Sequence, residues 1–366
     1  MSVHTRKAVV EIVPGRNDRD EHIFSVLVKR TYRIEADRPA IRADDDRPFR
    51  LIDEYYDAGD PEWSTVQHES EMAPFKHFTD VVVIGKAHAP RGVPTERMSV
   101  GVQVGEHRKV LVVTGDRRCH FRQNAAPVFG DPEPFEDMEI RYDRAYGGRD
   151  EVSVPAIPFV YPRNFMGVGV ALKNVEAAVE GLALPNIEDP DDLLTPERVV
   201  IEEPDRWHLQ PLPQGLGWRQ RAWYPRSALL GSFPPFLDPG TVTAEEEMGL
   251  LPRDHVALAK QFRLKPFDSR FASGASFGLF FPGLKGDEPV ALAGLTPGGL
   301  LRFSLPADTP RIGLDLGAGS KELDPFLHTV SIRPDDGELD MIWRGAQPYG
   351  GYRWLSKMTR LQAGVN

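Results

Sequence analysis

The chain has 366 residues, 41% of them hydrophobic and 27% charged, with a net charge of −10 and a single cysteine, Cys119. A chain of this length can bury a large core. Its acidity argues against nucleic-acid binding, which needs a basic patch, and one cysteine excludes an internal disulfide and suits a reducing cytoplasm.

The start of the chain has only a short apolar run before Pro14, less than the core of a signal peptide. No segment approaches the roughly 18 apolar residues of a membrane span, so no membrane insertion is expected. Proline and glycine number 33 each and are spread throughout, which leaves little room for long helices. Strands and turns should dominate.

In chain order, Lys7 to Val13 and Ile23 to Ile34 flank a Gly-Arg-Asn-Asp turn and predict a hairpin. Residues 36–53 are polar and predict a loop. Asp80 to Lys86 is a short continuous apolar run of the kind found in buried strands. Met98, Val100, Val102 and Val104 alternate, Gly105-Glu106-His107 turns, and Lys109 to Thr114 returns, giving a clear hairpin.

Glu139 to Pro190 is different. It is dense in aromatics, glycines and prolines, and only Val170 to Leu184 is long enough for a helix. Gly147-Gly148 permits positive φ or close backbone approach, and Asn164 and Asn186 are residue types that bond their own main chain in turns. This stretch predicts a large ordered loop system, held by its own side chains and lying across a β scaffold.

Farther on, Trp207, Trp218 and Trp223 fall within 17 residues, among Arg219, Arg221 and Arg226. Such interleaving can bind single-stranded nucleic acid, but the net charge favours rings as core anchors with arginines stacked on them. Thr241 to Phe262 predicts two short helices broken at Pro252. Glu288 to Leu295 and Leu301 to Leu305 flank Gly298-Gly299. Thr329 to Arg333 and Glu338 to Arg344 flank Asp336-Gly337, another hairpin signal. The tail from Gly345 is expected to dock through a final short helix. The fold class expected is mainly β: antiparallel sheets in two β-rich lobes, long ordered loops and few short helices. The expected divisions are residues 1–138, a loop-rich centre 139–240, and residues 241–366.

The residues offer little chemistry. His68-Glu69 begins a zinc-protease motif, but Met72 stands where the second histidine belongs. Gly274-Ala275-Ser276-Phe277-Gly278 matches a nucleophile elbow, which needs a strand before it and a helix after it; the flanking prolines predict a loop instead. Gly317 to Lys321 lacks the spacing of a phosphate loop. Glu188, Asp189, Asp191 and Asp192 cluster around Pro190 and read best as a solvated acidic turn. Cys119 and His120 are adjacent, so in a strand they point to opposite faces. No catalytic, cofactor-binding or metal-binding residue is assigned.

Seven pieces nevertheless occur in one order: STVQHESEMAPFKHFTDVVVIGKAHAP, VTGDRR, EIRYDRAYGG, NFMGVGV, LPNIEDP, WYPR and FPGLKGDEPVALAGL. Together they resemble the effector adaptor, or chaperone, family of the bacterial type VI secretion system, over roughly Ser64 to Trp343. The chain departs from that pattern at Phe165, where a proline is usual, and at Arg118 to His120, where an aromatic often stands.

The resemblance implies a non-catalytic cytoplasmic loader. Its partners would be a secreted effector protein and the spike, through the spike trimer or its tip protein. A partner that binds only the native effector stabilises it by RT ln(1 + [L]/Kd), about 2.7 kcal/mol at a hundredfold excess over Kd. Such contacts call for an aromatic-rich, partly exposed patch, and an open sheet edge could accept an effector strand. The candidate contributors are Tyr146, Phe165, Trp218, Trp223 and Tyr224. Two alternatives stand beside this one. A carboxylate-dependent hydrolase of cell-wall glycans would use acids such as Glu188 and Asp189, facing each other about 5 to 10 Å apart. A structural component of the spike would be co-secreted with it.

Overall fold

In the computed structural model, residues 9–154, 156, 158–227, 269–317, 319–349 and 361–365 are described. The protein is mainly β, with several antiparallel sheets. The largest sheet has seven strands. Val9–Arg16, His22–Arg33, Glu338–Pro348, Phe326–Arg333, Thr79–Val83 and Phe280–Phe281 follow one another across it, and Ile41–Arg42 joins His22–Arg33. A second sheet of five runs Ile187–Glu188, His107–Thr114, Arg97–Val104, Pro289–Ala293 and Leu300–Ser304. A third, of three strands, pairs Ile312–Asp315 with Ser320–Leu323 and with Gln362–Val365.

The hairpins form where the turn chemistry demands. Gly105 has φ 57° between Arg97–Val104 and His107–Thr114, and Gly337 has φ 66° between Phe326–Arg333 and Glu338–Pro348. These are left-handed values that glycine adopts without strain. The apolar run at Val81, Val82 and Val83 is buried on both faces. It occupies an interior position of the large sheet and pairs in parallel with Phe326–Arg333. Continuous apolar sequence is what a strand covered on both sides requires.

Period-two alternation sorts the faces. Val26, Val28, Met341 and Trp343 turn toward Val100, Val102, Leu111, Val113 and Leu292, so the two large sheets share one core. On the other face of the large sheet, Leu27 and Ile342 pack under Phe49. Strand pairing crosses the expected sequence divisions: His22–Arg33 lies beside Glu338–Pro348, and Arg97–Val104 beside Pro289–Ala293.

The central stretch has a core of its own. Tyr146, Phe159, Tyr161, Leu172, Trp207 and Tyr224 pack with Cys119, Phe271 and Phe277. Among the described residues its strands are two residues long and its α-helix is the single turn Glu176–Val179, shorter than the span Val170 to Leu184 would allow. Asn164 knits it together. Its buried side-chain amide donates to the carbonyls of Tyr142 (2.7 Å) and Tyr146 (3.1 Å). Gly147, at φ 148°, lies so close that a Cβ there would sit 2.1 Å from the Asn164 carbonyl oxygen. The helices expected in Thr241 to Phe262 and in the tail after Gly345 fall largely or wholly outside the described residues.

Candidate functional site

Four of the ordered sequence pieces end at one place. Asp116, Arg117 and Arg118 come from VTGDRR, Arg141, Asp143 and Arg144 from EIRYDRAYGG, Val168 from NFMGVGV, and Leu184 and Asn186 from LPNIEDP. Together they line an open groove of about 590 Å³, closed on its far side by His120, Gly130, Asp131 and Glu133.

Backbone pairing brings the pieces together. Ile187–Glu188 adds to the edge of His107–Thr114. The Asn186 N–H donates to the Arg144 carbonyl, and the Thr114 N–H to that of Asn186, each at 2.8 Å. The buried Asn186 amide then donates to Thr114 O and to Asp116, both at 2.9 Å. One asparagine therefore ties three segments at the groove floor, a role suited to a side chain with two donors.

The groove charges are mixed and mutually paired. Arg144 meets Asp116 at 3.1 Å, and both are substantially exposed. Arg141 bridges Asp143 (2.6 Å) and Glu139 (3.1 Å) and lies 4.2 Å over the Tyr56 ring. Arg118 donates to the Gly181 carbonyl at 2.8 Å. The exposed Arg144–Asp116 pair contributes about 0–1 kcal/mol, so exchanging it for a partner's charges costs little, whereas Arg141, bidentate to Asp143, is held in a network. Arg117 is held more firmly, against the buried Glu188 at 2.6 Å. Burial pushes the Glu188 carboxyl up, while the Leu194 N–H and Arg117 pull it down; the net direction is up.

The five aromatic candidates are mostly elsewhere. Tyr146, Trp218, Trp223 and Tyr224 are all less than 5% exposed. They are core rings, three of them packed edge to face in the pairs Tyr142–Trp223, Tyr146–Tyr161 and Trp207–Tyr224, and the Trp218 ring lies 5.0 Å from the Lys76 ammonium. Phe165 is half-buried, at 6.1 Å from Trp223. Beside it stands a residue that aromatic counting passed over: Trp63, 58% exposed. The groove residues were passed over too. The order of the motif pieces was the signal that could have found them.

The other sequence candidates resolve into structural roles. Glu69 is buried between Arg226 (2.8 Å) and Arg221 (2.7 Å); burial raises its carboxyl, but the two arginines prevail and hold it below its ordinary range. Ser276 is buried, hydrogen-bonded to the Tyr142 hydroxyl at 2.8 Å and to the Gly217 carbonyl at 3.0 Å, and a turn, not a helix, follows it. Cys119 is buried and its thiol is pushed up to about 11, chiefly by burial. Its neighbour His120 faces outward to Glu180. Among the described residues there is no cluster of three potential metal ligands, and no helix is long and apolar enough to cross a membrane.

No curated protein and no solved structure matches the chain. A family profile described as an uncharacterised protein conserved in bacteria, DUF2169, matches residues 19–344. That match takes in the five-stranded sheet, the seven-stranded sheet apart from Val9–Arg16 and the last residues of Glu338–Pro348, the central core and every residue of the groove, and the chain belongs to the DUF2169 family.

Proposed function

We propose that the protein is a non-catalytic adaptor: it binds a type VI secretion effector in the cytoplasm and helps seat it on the spike, through the spike trimer or its tip protein. The observation that carries this reading is the convergence of four of the resembling motif pieces on one open, mixed-charge groove. The exposed Arg144–Asp116 pair can be exchanged for the charges of a partner, and complementary charge sets register and on-rate in protein recognition.

The glycan-hydrolase alternative gains nothing from Glu188 and Asp189. One oxygen of Glu188 accepts from the Leu194 N–H (2.8 Å) and the other from Arg117 (2.6 Å). Asp189 accepts from the Asp191 N–H at 3.0 Å within its own turn.

The test is co-expression of the full chain with the effector encoded beside it, and separately with the spike trimer and tip protein, followed by affinity capture. The adaptor retains the effector through washing. Retention of none of these proteins contradicts the reading, and secretion of the chain together with the spike favours a structural spike component instead.

A further inference from the structure

Arg149 is held in an unusual way. Its guanidinium lies 3.8 Å over the exposed ring of Trp63 and 6.0 Å from the ring of Phe165. Its polar contacts are weak: the Phe165 carbonyl at 3.4 Å and the Met166 sulfur at 3.7 Å. Arg117, Arg141 and Arg144, in the surrounding motifs, each have a carboxylate; Arg149 has none among the described residues. The acid next in sequence, Asp150, is turned away and accepts from the Leu172, Val152 and Ser153 backbone. Directly across the strand pair from Arg149 stands Val160, 43% exposed.

Stacking fixes the plane of the guanidinium and leaves donors at its edge, the geometry that accepts a carboxylate in two parallel hydrogen bonds. Exposed tryptophan beside arginine is also the composition of interface hot spots. We infer that Trp63, Arg149, Val160 and Phe165 form a docking surface for a protein segment that presents a carboxylate next to a large apolar side chain. The carboxylate pairs with Arg149, and the apolar neighbour covers Trp63 and Val160. The surface and the groove stand on the same two loops, since Phe165 is three residues from Val168 and Arg149 five from Arg144. This inference rests on the adaptor reading and names the chemistry of the partner.

A random twelve-residue peptide library displayed on phage, panned on the immobilised full chain, tests it. The expected enrichment is Asp or Glu beside Leu, Phe, Trp or Met. Synthetic versions of the enriched peptides should lose about tenfold or more in affinity to Arg149→Gln and to Trp63→Ala, and less to Arg149→Lys, which keeps the charge without the planar fork. Trp63 is exposed, so the melting temperature of Trp63→Ala should match that of the parent chain. No enrichment, enrichment of basic peptides, or equal affinity for the variants overturns the inference. Effector capture separates the two readings: an effector retained equally by the parent chain and both variants ends this surface but leaves the adaptor. Peptides bound as expected, with no effector retained, end the adaptor reading while the surface stands.

Discussion

At the scale of single residues, asparagines organise the central stretch, and two buried histidines at the large sheet set the pH response. Asn164 satisfies two buried carbonyls, so Asn164→Ala leaves both without their donor and should cost about 2–3 kcal/mol. Gly147→Ala should cost at least as much, because its φ of 148° and the Asn164 carbonyl leave no room for a Cβ. Urea denaturation of both variants checks this, and unchanged midpoints would remove Asn164 from its organising role.

His68 and His328 are buried and kept neutral. Burial, with Arg50 and Arg333 adding to it, holds the His68 imidazole down to about 3; burial, with Lys76 and Arg344, holds His328 well below its ordinary value. The unfolded chain takes up these protons below about 6.5 and the folded chain does not. Stability is therefore full above that pH and falls as pH drops toward 3, by about 1.4 kcal/mol per pH unit for each histidine. The depressed carboxyls of Glu69 and Asp340 add a loss in the same direction, but only below their ordinary range near 4. Urea midpoints measured from pH 8 to pH 5 should be flat and then fall. His68→Gln should remove about one histidine's share of that slope; an unaltered slope would contradict its burial as a neutral ring.

At the scale of elements, the hairpins were legible because each carries its own turn. Gly105 and Asp336-Gly337 announce two of them, and the alternation at Leu339, Met341 and Trp343 states which side faces the core. The parallel pairing of Thr79–Val83 with Phe326–Arg333 joins strands about 250 residues apart, and nothing local in either strand specifies the other. Four of the five aromatic candidates, all but Phe165, proved to be buried rings, for a related reason. A ring in a sequence looks the same whether buried or exposed, and large rings are buried more often than not. That distinction predicts opposite outcomes for two tryptophans. Trp223→Ala removes a ring that is 1% exposed and should cost about 3–5 kcal/mol. Trp63→Ala should stay within about 0.5 kcal/mol of the parent chain. Similar losses for the two would contradict the packing described for the central core.

At the scale of the whole molecule, a seven-stranded sheet built from both ends of the chain shares a core with a five-stranded one, and the central stretch gathers the groove. The groove was not legible in the sequence as a site, because its residues lie in five segments spread over 71 positions, from Asp116 to Asn186. What the sequence did carry was the order of four of those segments, each of which the fold brings to the groove lining. The charges that hold the sheets together are of another kind. Lys29 lies 2.7 Å from Glu71, and Arg333 lies 2.9 Å from Asp340; all four are nearly or wholly buried. Breaking such a pair by removing one partner costs about 3–5 kcal/mol, so Glu71→Ala should unfold the chain at much lower denaturant, with the same readout as above. Reversing the groove charges should not, because Arg141 and Arg144 sit at a partly open surface.

The account stands or falls on whether the molecule holds another protein through that groove. The direct measurement is titration calorimetry of the purified chain with the purified effector of the adaptor proposal, the parent chain set beside the double variant Arg141→Glu, Arg144→Glu at matched melting temperature. An adaptor that works through the groove binds saturably with Kd at or below about 1 μM, −8.2 kcal/mol or better, and about tenfold or more weakly in the variant. No saturable heat up to about 100 μM effector, a limit of about −5.5 kcal/mol, or equal affinity in chain and variant, would contradict it.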